Sequence, residues 1–345
     1  MWIDVPFAPE GLGALPLIRR NWTLRGSLQA ASRIRAEQRQ APFDAMFLHT
    51  QTISLFAGGL MRAIPTLLSL DATPLNLDEL GGAYNHGVGI APVERLKRAA
   101  HRRVMRRAKH FTTWSHWAKA SLVGDYGADP ERVTVIHPGT NIDSFAPAGE
   151  HARDADAALQ ILFVGGDFIR KGGDLLLDVY GRSLRGSCEL HLVTAADLPE
   201  RDGVHVYRGL KPHAPELLDL YRKADVFVLP TRGDCLAVVM GEAMAASLPI
   251  ITTNVGAHRE AVEDGESGYV IDVDDADALE DRLQRLAADR PLAARMGRRS
   301  RTIGERRFDM AQGATQIADI LVTLAAGGAP ATMAPRASIK REQLV

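Results

Sequence analysis

Cysteine, excess charge of one sign and long apolar runs are all scarce in this sequence. Cys188 and Cys235 are the only cysteines among 345 residues; they lie far apart without metal-site spacing, which favours a reducing compartment. The formal net charge is −1, so no overall basic field directs the chain to nucleic acid. No apolar run approaches the ~20 residues of a membrane span, and residues 1–11 lack the basic and apolar regions of a signal peptide. These absences predict a soluble, cytoplasmic globular protein.

Metal-binding patterns are also scarce. No Asp-x-Asp motif stands between predicted strands in a position to hold a divalent ion, and the histidines show no ligand spacing. We therefore expect no metal and no other cofactor.

Apolar segments alternate with helical patterns along the chain, which is the arrangement of βαβ units. This pattern predicts an α/β fold with two separate parallel sheets, for which the length and the 46% apolar content are sufficient. The predicted strands lie in segments 43–49, 65–70, 110–115 and 133–138, and then, from Ile161 onward, in 188–194, 204–209, 224–230 and 249–254. The predicted organisation is an N-terminal domain at 1–146, a linker at 147–158, a second domain at 159–308, a helix at 309–327 and a disordered tail at 328–345.

Two carboxylates follow one of the predicted strands. Asp234 and Glu242 lie eight residues apart in TRGDCLAVVMGEAMAA, just after the buried strand at 224–230. If both residues are helical, this spacing of a little over two turns puts the acids on one face. They would then stand at the carboxyl edge of a parallel sheet, where open α/β folds bind ligands and where carboxylates accept hydrogen bonds from ribose and sugar hydroxyls. The alternative is a solvated helix face with two unrelated acids.

Three segments, in order, carry a resemblance to a known family. They are TTWSHWAKASLVGDYGADPERVTVIHPGTNIDSFAP (112–147), ILFVGGDFIRKGGDLLL (161–177), and the stretch from Asp234 through EAMAASLPIITTNVGAHREAVEDGESGYVI. Together they resemble retaining, nucleotide-sugar-dependent glycosyltransferases of family 4, which have the GT-B fold. The resemblance implies two Rossmann-like domains facing across a cleft. It also implies metal-free transfer of a sugar from a UDP- or GDP-linked donor to a hydroxyl of a saccharide or lipid-linked acceptor, with the leaving phosphate taking the acceptor's proton.

The same resemblance assigns donor-binding residues around the two acids. Glu242 matches the family acid that binds the ribose, and Asp234 stands where the family usually has Glu, which puts its reach to the donor sugar in question. The amides of Cys235, Leu236 and Ala237 are expected to open the helix and to bind the diphosphate.

A second phosphate-binding segment is expected after the strand at 161. Lys171 matches the family lysine that contacts the diphosphate, and Gly165 and Gly166 lie in the phosphate loop. The family's usual Arg is replaced by Gly166, so Arg170 is expected to supply the guanidinium. The alternative is a basic pair on a solvated loop. Lys171, Arg170 and Asp234 are the candidate catalytic residues of this half.

Acceptor-side candidates lie at predicted strand ends of the N-terminal half. Asp71 is the fourth candidate catalytic residue because its carboxylate can orient a hydroxyl, although an Asp before Thr73-Pro74 is also ordinary turn chemistry. His49, Thr73 and Ser115 are the candidate acceptor-binding residues, with His116 as a further one.

A basic stretch, Arg95 to Lys109, has eight Arg or Lys residues and no acid. Peripheral contact with anionic lipid is one interpretation, and a solvated face or an anionic-acceptor site is the other.

The start of the chain looks like a late strand fragment and one long helix, without the family's opening strands and Gly-rich loop. We therefore expect the N-terminal sheet to be incomplete, with an exposed edge. Two alternatives to the glycosyltransferase remain open: an inactive chain that still binds nucleotide, and a GT-B epimerase or sugar-phosphate synthase.

Overall fold

The computed structural model describes residues 1–5, 8, 21–84, 91–146 and 157–330. The strands are β1 Met46–His49, β2 Thr66–Leu70, β3 His110–Thr113, β4 Val133–Val135, β5 Leu159–Val164, β6 Cys188–Val193, β7 Val204–Tyr207, β8 Val226–Leu229, β9 Ile250–Thr253 and β10 Gly268–Ile271. The α-helices are α1 Trp22–Gln40, α2 Leu60–Ala63, α3 Pro74–Glu79, α4 Ala91–Met105, α5 His116–Gly124, α6 Gly173–Val179, α7 Pro215–Lys223, α8 Val238–Ala245, α9 His258–Ala261, α10 Ala276–Ala288, α11 Arg290–Arg307 and α12 Met310–Ala325. Single helical turns of other types lie at Gln51–Ser54, Gly81–Tyr84, Pro130–Arg132 and Tyr180–Leu184.

The first unit is built on a four-stranded parallel sheet in the order β1-β2-β3-β4. Its strands are short and apolar, and β2 is buried along its whole length, as expected for a parallel sheet covered on both faces. One face packs on the helices that follow the strands, with Leu68 and Phe111 in that core. On the other face Leu67 and Ile136 pack against Ile320 and Leu324 of α12. The C-terminal helix therefore completes the core of the first unit.

The second unit is built on a six-stranded parallel sheet in the order β10-β9-β8-β5-β6-β7. From β5 the chain moves outward to β6 and β7, and then returns to the other side of β5 to add β8. Ligands of open α/β sheets bind where the strand order reverses in this way, beyond the carboxyl ends of the strands. The loops after β5 and β8 are therefore the first place to look for a site.

The strand predictions are confirmed, because every predicted segment contains a strand of the structure. The long N-terminal helix is found as α1 and the C-terminal helix as α12. Strand β10 was not predicted; it has four residues and begins at Gly268, whose φ of 155° and close approach to the Ile250 backbone exclude a side chain.

The predicted domain boundaries differ from the two compact units. The first unit runs to Gly81, resumes through α4 to Ile136, and takes up the chain again at Ala314. The second contains Gly82–Tyr84 and extends from His137 to Gly313. Most of the predicted linker, residues 147–156, and most of the predicted tail, residues 331–345, lie outside the described residues. Strand β1 is an edge strand in the described sheet, and the missing opening strands stay a prediction.

Candidate functional site

The loops after β5 and β8 are packed directly against each other. Gly172, the last residue before α6, has a φ of 76°, and a Cβ there would lie 2.0 Å from the Pro230 carbonyl oxygen. Only glycine fits such a position at low cost. Across this contact the Arg232 amide donates to the Arg170 carbonyl oxygen at 2.8 Å. The two loops are therefore a single assembly at the switch point of the sheet.

Lys171 and Asp234 form an ion pair between these two loops. The Lys171 ammonium donates to Asp234 Oδ2, and the two side chains are only 15% and 12% exposed. Gly165 makes room for the lysine, since a Cβ there would lie 3.0 Å from Lys171 Cβ. Lys171 and Asp234 were both candidates from the sequence, and the fold brings them together although they are 63 positions apart in the chain.

Arg170 lies beside this pair and contacts three different groups. Its guanidinium donates to Asp167 Oδ2 at 3.1 Å and to the Gly233 carbonyl oxygen at 2.8 Å, and it lies 4.6 Å from the ring centroid of Tyr84. The tyrosine was not predicted, because it lies far away in sequence and no local pattern marks it. A guanidinium held by an aromatic face, one carboxylate and one carbonyl still keeps further N–H donors for a phosphate group.

Arg232 follows β8 and stabilises the loops through two ion pairs. Its guanidinium pairs with Asp174 at 2.7 Å and with Asp274 at 2.8 Å. The hydrogen bond to Asp174 is the largest cause that raises the pKa of Arg232 above its ordinary value, and Asp274 adds to the rise. Sequence reasoning missed this residue, although its place in TRGD directly after a strand was a usable signal.

The start of helix α8 differs from the prediction. The helix begins at Val238, with Ala237 in extended conformation as its N-cap, so Asp234 lies outside it. The prediction that Asp234 and Glu242 share one helix face is wrong, because the chain from Thr231 to Ala237 is held as a loop. The Thr231 hydroxyl bonds to the Gly233 backbone, and the Cys235 carbonyl accepts from Ala257 at 2.8 Å. The predicted amide donors Cys235, Leu236 and Ala237 therefore precede the helix.

Glu242 is the helical acid, and a buried tyrosine holds it. Tyr221 of α7 donates from its hydroxyl to Glu242 Oε2 at 2.6 Å. Burial raises the pKa of Glu242 above its ordinary value, and the Tyr221 hydrogen bond and the nearby His213 oppose that rise. Tyr221 itself is fully buried, and burial raises its pKa well above its ordinary value. One carboxylate oxygen is thus oriented by the protein, an arrangement that fits contact of the other with a ribose diol.

His258, which sequence reasoning missed, is buried next to the Lys171–Asp234 pair. The Thr252 hydroxyl donates to the Leu229 carbonyl at 2.9 Å, so His258 Nδ1 must be the donor in its 2.8 Å bond to Thr252 Oγ1. Nε2 is then a bare acceptor, and it has no partner within the described part of the chain. Burial lowers the pKa of His258 to about 4; the nearby Asp234 opposes this shift and Lys171 adds to it. The ring is therefore neutral at pH 7.

In the first unit, His49 and Asp71 lie at the carboxyl ends of β1 and β2. His49 Nδ1 lies 3.2 Å from the Ser69 hydroxyl, and Asp71 Oδ1 accepts from the Ala72 amide at 2.9 Å. Partial desolvation of the ring lowers the pKa of His49, and the Asp71 carboxylate partly opposes the shift.

Thr73 and Ser115 are buried helix caps. Thr73 forms a capping box with Asn76 at the start of α3, and Ser115 accepts from the Ala118 amide at the start of α5. Their hydroxyls are therefore engaged in the fold, while the predicted acceptor contacts of both residues stay predictions.

Most of the basic stretch, residues 95–105, lies in α4, which is mostly exposed. Leu96 is 72% exposed, and Lys97 pairs with Glu94 at 2.7 Å. Among residues 21–84, 91–146 and 157–330, no cluster of three or more His, Cys, Asp or Glu side chains is arranged to hold a metal ion. No helix in those same ranges is long and apolar enough to cross a membrane.

Comparison with known proteins agrees with this geometry. Residues 158–289 match the family described as Glycosyl transferases group 1, and residues 7–144 match Glycosyltransferase Family 4. The chain is 30% identical over 240 residues to the D-inositol 3-phosphate glycosyltransferase of Geodermatophilus obscurus, covering 61% of this chain and 53% of that protein. It is 33% identical over 225 residues to the enzyme of the same name from Streptomyces bingchenggensis, covering 58% and 49%. The chain thus spans about half the length of the curated relatives it matches.

Solved structures give the fold. Sucrose-phosphate synthase of Thermosynechococcus elongatus aligns with a TM-score of 0.71 at 20% identity, over 90% of this chain and 80% of that one. Anabaena HepE, solved in complex with UDP and glucose, aligns with a TM-score of 0.67 at 16% identity, over 86% and 81%. At such identities these structures show the fold alone, which is that of the GT-B glycosyltransferases. The two family matches complete the assignment: the chain belongs to the group 1, family 4 glycosyltransferases.

Proposed function

We propose that this protein transfers a sugar from a nucleoside diphosphate sugar to an acceptor hydroxyl, with retention of the anomeric configuration. The observation that supports this most is the Lys171–Asp234 pair at the switch point of the six-stranded sheet, with Arg170 beside it. Two cations at this edge suit a diphosphate, and the carboxylate paired with one of them suits the hydroxyls of the sugar it carries.

Each part of the donor has a candidate partner. Glu242, held by Tyr221, binds the ribose, while Lys171 and Arg170 bind the diphosphate together with the amides of Leu236 and Ala237 that precede α8. Asp234, one methylene shorter than the family's usual Glu, contacts the donor sugar. HepE is described with UDP and glucose, so a UDP-linked hexose is the first donor to test and a GDP-linked one the second.

The chemistry requires positioning and charge stabilisation more than a protein nucleophile. The bond between the anomeric carbon and the diphosphate oxygen breaks while the acceptor oxygen bonds to the same face of that carbon. The acceptor's proton passes to the leaving phosphate oxygen, which balances the step. Lys171 and Arg170 neutralise the charge that grows on the diphosphate as the bond breaks, with no metal required.

On the acceptor side, Asp71 and His49 are the proposed contacts. The relatives are named for transfer to an inositol phosphate, which supports a polyhydroxylated acceptor. The exposed cations of α4, among them Arg95, Arg98 and Arg103, add attraction for an anionic acceptor or an anionic lipid surface.

The direct test is donor binding and turnover by the purified chain. Calorimetry with UDP, UDP-glucose, GDP and GDP-mannose compares wild type with Lys171→Ala, and Lys211→Ala, an exposed lysine in the same unit, is the matched control. We expect one nucleotide series to bind, Lys171→Ala to weaken it and Lys211→Ala to leave it unchanged. Binding of neither series would contradict the proposal.

Product analysis separates the alternatives. Released nucleoside diphosphate together with a new glycosidic product supports the transferase. Binding without any turnover identifies the inactive nucleotide-binding chain. Conversion of the donor sugar with water or a sugar phosphate identifies the epimerase or synthase.

A further inference from the structure

Alternation along the strands of the first unit brings three chemically distinct side chains to one face of the sheet. His49 pairs in register with Ser69, and Ser69 pairs with Thr112. Because side chains of a strand alternate between faces, Asp71 and Trp114, each two residues further on, lie on the same face as Ser69 and Thr112. The Trp114 amide donates to the Leu70 carbonyl at 3.0 Å, which extends this register to the sheet edge.

The indole of Trp114 lies in a stack of rings that starts inside the core. Phe47 packs with Leu67 and α12 in the core, and its ring lies 6.4 Å from that of His49 with 13° between the planes. The His49 ring lies 5.6 Å from that of Trp114 with 19° between the planes. His49 therefore covers part of the indole and fixes its orientation.

Part of the indole nevertheless remains accessible. Trp114 and Asp71 are half-buried and His49 is exposed. In the described residues Asp71 forms no ion pair, and the contact that its carboxylate makes there is the one from the Ala72 amide to Oδ1. A flat aromatic surface, a carboxylate and an imidazole thus meet at one sheet edge, and in the described residues no hydrogen bond joins the three side chains.

This combination suits one chemical class of ligand. The ring of a pyranose or cyclitol exposes C–H groups on its faces and hydroxyls around its rim. The C–H groups pack against the electron-rich face of an indole, while rim hydroxyls donate to a carboxylate and exchange hydrogen bonds with an imidazole. An acyclic polyol has the hydroxyls without the flat apolar face, and a nucleobase has the flat face without the hydroxyls.

We propose that Trp114, backed by His49 and flanked by Asp71, is the binding surface for a ring-shaped polyol and determines the acceptor class of this protein. The identification of the bound ring as the acceptor rests on the proposed function; the binding of a cyclic polyol at Trp114 does not.

The test is an NMR titration of the full chain labelled with ¹⁵N, which follows the indole N–H signals of its four tryptophans. Trp114→Phe assigns the Trp114 signal by its loss. The probes are methyl β-D-glucopyranoside and myo-inositol, with D-sorbitol as the acyclic control and uridine as the nucleobase control, each up to tens of millimolar. We expect the cyclic probes to shift the Trp114 signal saturably, and sorbitol and uridine to shift it far less.

Variants then separate a binding role from a structural one. In the variants the Kd is followed through the backbone amide signals that shift in the wild type. Trp114→Leu is expected to raise the Kd for the cyclic probe about tenfold, near the most that one aromatic contact supplies, while Trp114→Phe keeps most of the affinity. Trp117→Phe, a nearby tryptophan on α5, is the matched control and should bind as wild type. UDP binding, measured by calorimetry, should be unchanged in all three.

Either of two results overturns the proposal. One is the absence of a saturable Trp114 shift with both cyclic probes in the wild type, which requires no variant to fold. The other is a stronger response to uridine than to the cyclic probes. Failure of UDP binding in the wild type would instead overturn the proposed function. The titration with cyclic polyols could still be interpreted in that case.

Discussion

At the carboxyl edge of the six-stranded sheet, charged side chains are paired with one another, whereas at the same edge of the four-stranded sheet Asp71 has no ion-pair partner among the described residues. Lys171 and Asp234 neutralise each other, and Arg232 is held by two carboxylates. In the first unit an aromatic stack and a neutral imidazole take the place of these cations. The same position in two parallel sheets therefore differs in its chemistry, which is why we propose a diphosphate ligand for one edge and a hydroxyl-rich ring for the other.

The largest effect is expected from removing the lysine of the charged edge. Lys171→Ala should lower kcat roughly 100- to 1,000-fold with a smaller rise in KM for the donor, because the diphosphate gains charge as the sugar leaves. Steady-state kinetics with the donor identified by calorimetry measures both constants. A raised KM with unchanged kcat would mean that the lysine binds substrate and transition state equally.

The ribose contact should have the next largest effect. Glu242→Ala is expected to weaken donor binding by roughly 1.5–3 kcal/mol, the range for hydrogen bonds to charged groups. Tyr221→Phe, which removes only the hydroxyl that holds Glu242, should weaken it less. Calorimetry with UDP measures both variants, and an unchanged affinity in Glu242→Ala would remove this residue from the site.

Acid should destabilise both units through one buried histidine in each. His110 bonds through Nε2 to the Thr134 hydroxyl at 2.8 Å, and burial lowers its pKa to about 4, as it does for His258. Since the folded-state pKa is below the ordinary 6.5, the unfolded chain takes up these protons first. The contribution of each histidine to stability is complete above pH 6.5 and is lost as the pH falls toward 4.

Denaturant unfolding at pH 7, 6 and 5 measures this loss. Each histidine is expected to contribute a slope approaching ~1.4 kcal/mol per pH unit near pH 5. His258→Gln should remove the contribution of His258 to the slope of stability against pH. His110→Gln should remove the contribution of His110. A slope that neither variant changes would assign the acid sensitivity to other groups.

The smallest expected effect is a gain in affinity for UDP. Gly166 stands where the family usually has Arg; it is exposed, and a Cβ there would meet nothing within 4 Å. Gly166→Arg should fold normally and tighten UDP binding roughly fivefold, about 1 kcal/mol for an exposed charge pair. Gly166→Ala is the control for the backbone change. Weaker binding in Gly166→Arg would indicate that Arg170 already occupies the position the new side chain would take.

The strands and the meeting of the two loops that carry the candidate site were predictable because both follow from local patterns. Short apolar segments with regular spacing predicted the sheets, and the loop after Val164 with its Arg170-Lys171 pair was recognised from consecutive residues. The contacts that complete the site were not predictable in this way. Tyr221 and Glu242 are 21 residues apart, and Tyr84 reaches Arg170 from a different part of the chain.

The helix start was predicted wrongly for a related reason. Helical spacing permitted Asp234 and Glu242 to share a face, but hydrogen bonds to distant residues decide the path from Thr231 to Ala237. Trp114 was missed because period-two alternation was applied to strands one at a time. Only the register between β1, β2 and β3 brings it next to His49.

The pairing of Lys171 with Asp234 also has a consequence for the choice of ligand, on the proposed function. An incoming anion must compete with a carboxylate that is already in place, at high effective concentration, on a loop fixed by Arg232. A free inorganic phosphate gains one contact and leaves Asp234 buried without a partner, which costs more than an exposed exchange. A diphosphate that carries a sugar replaces both halves of the pair at once, because its phosphates take the ammonium and its hydroxyls take the carboxylate. If the donor binds as proposed, we therefore expect the site to prefer a sugar-carrying diphosphate over free phosphate.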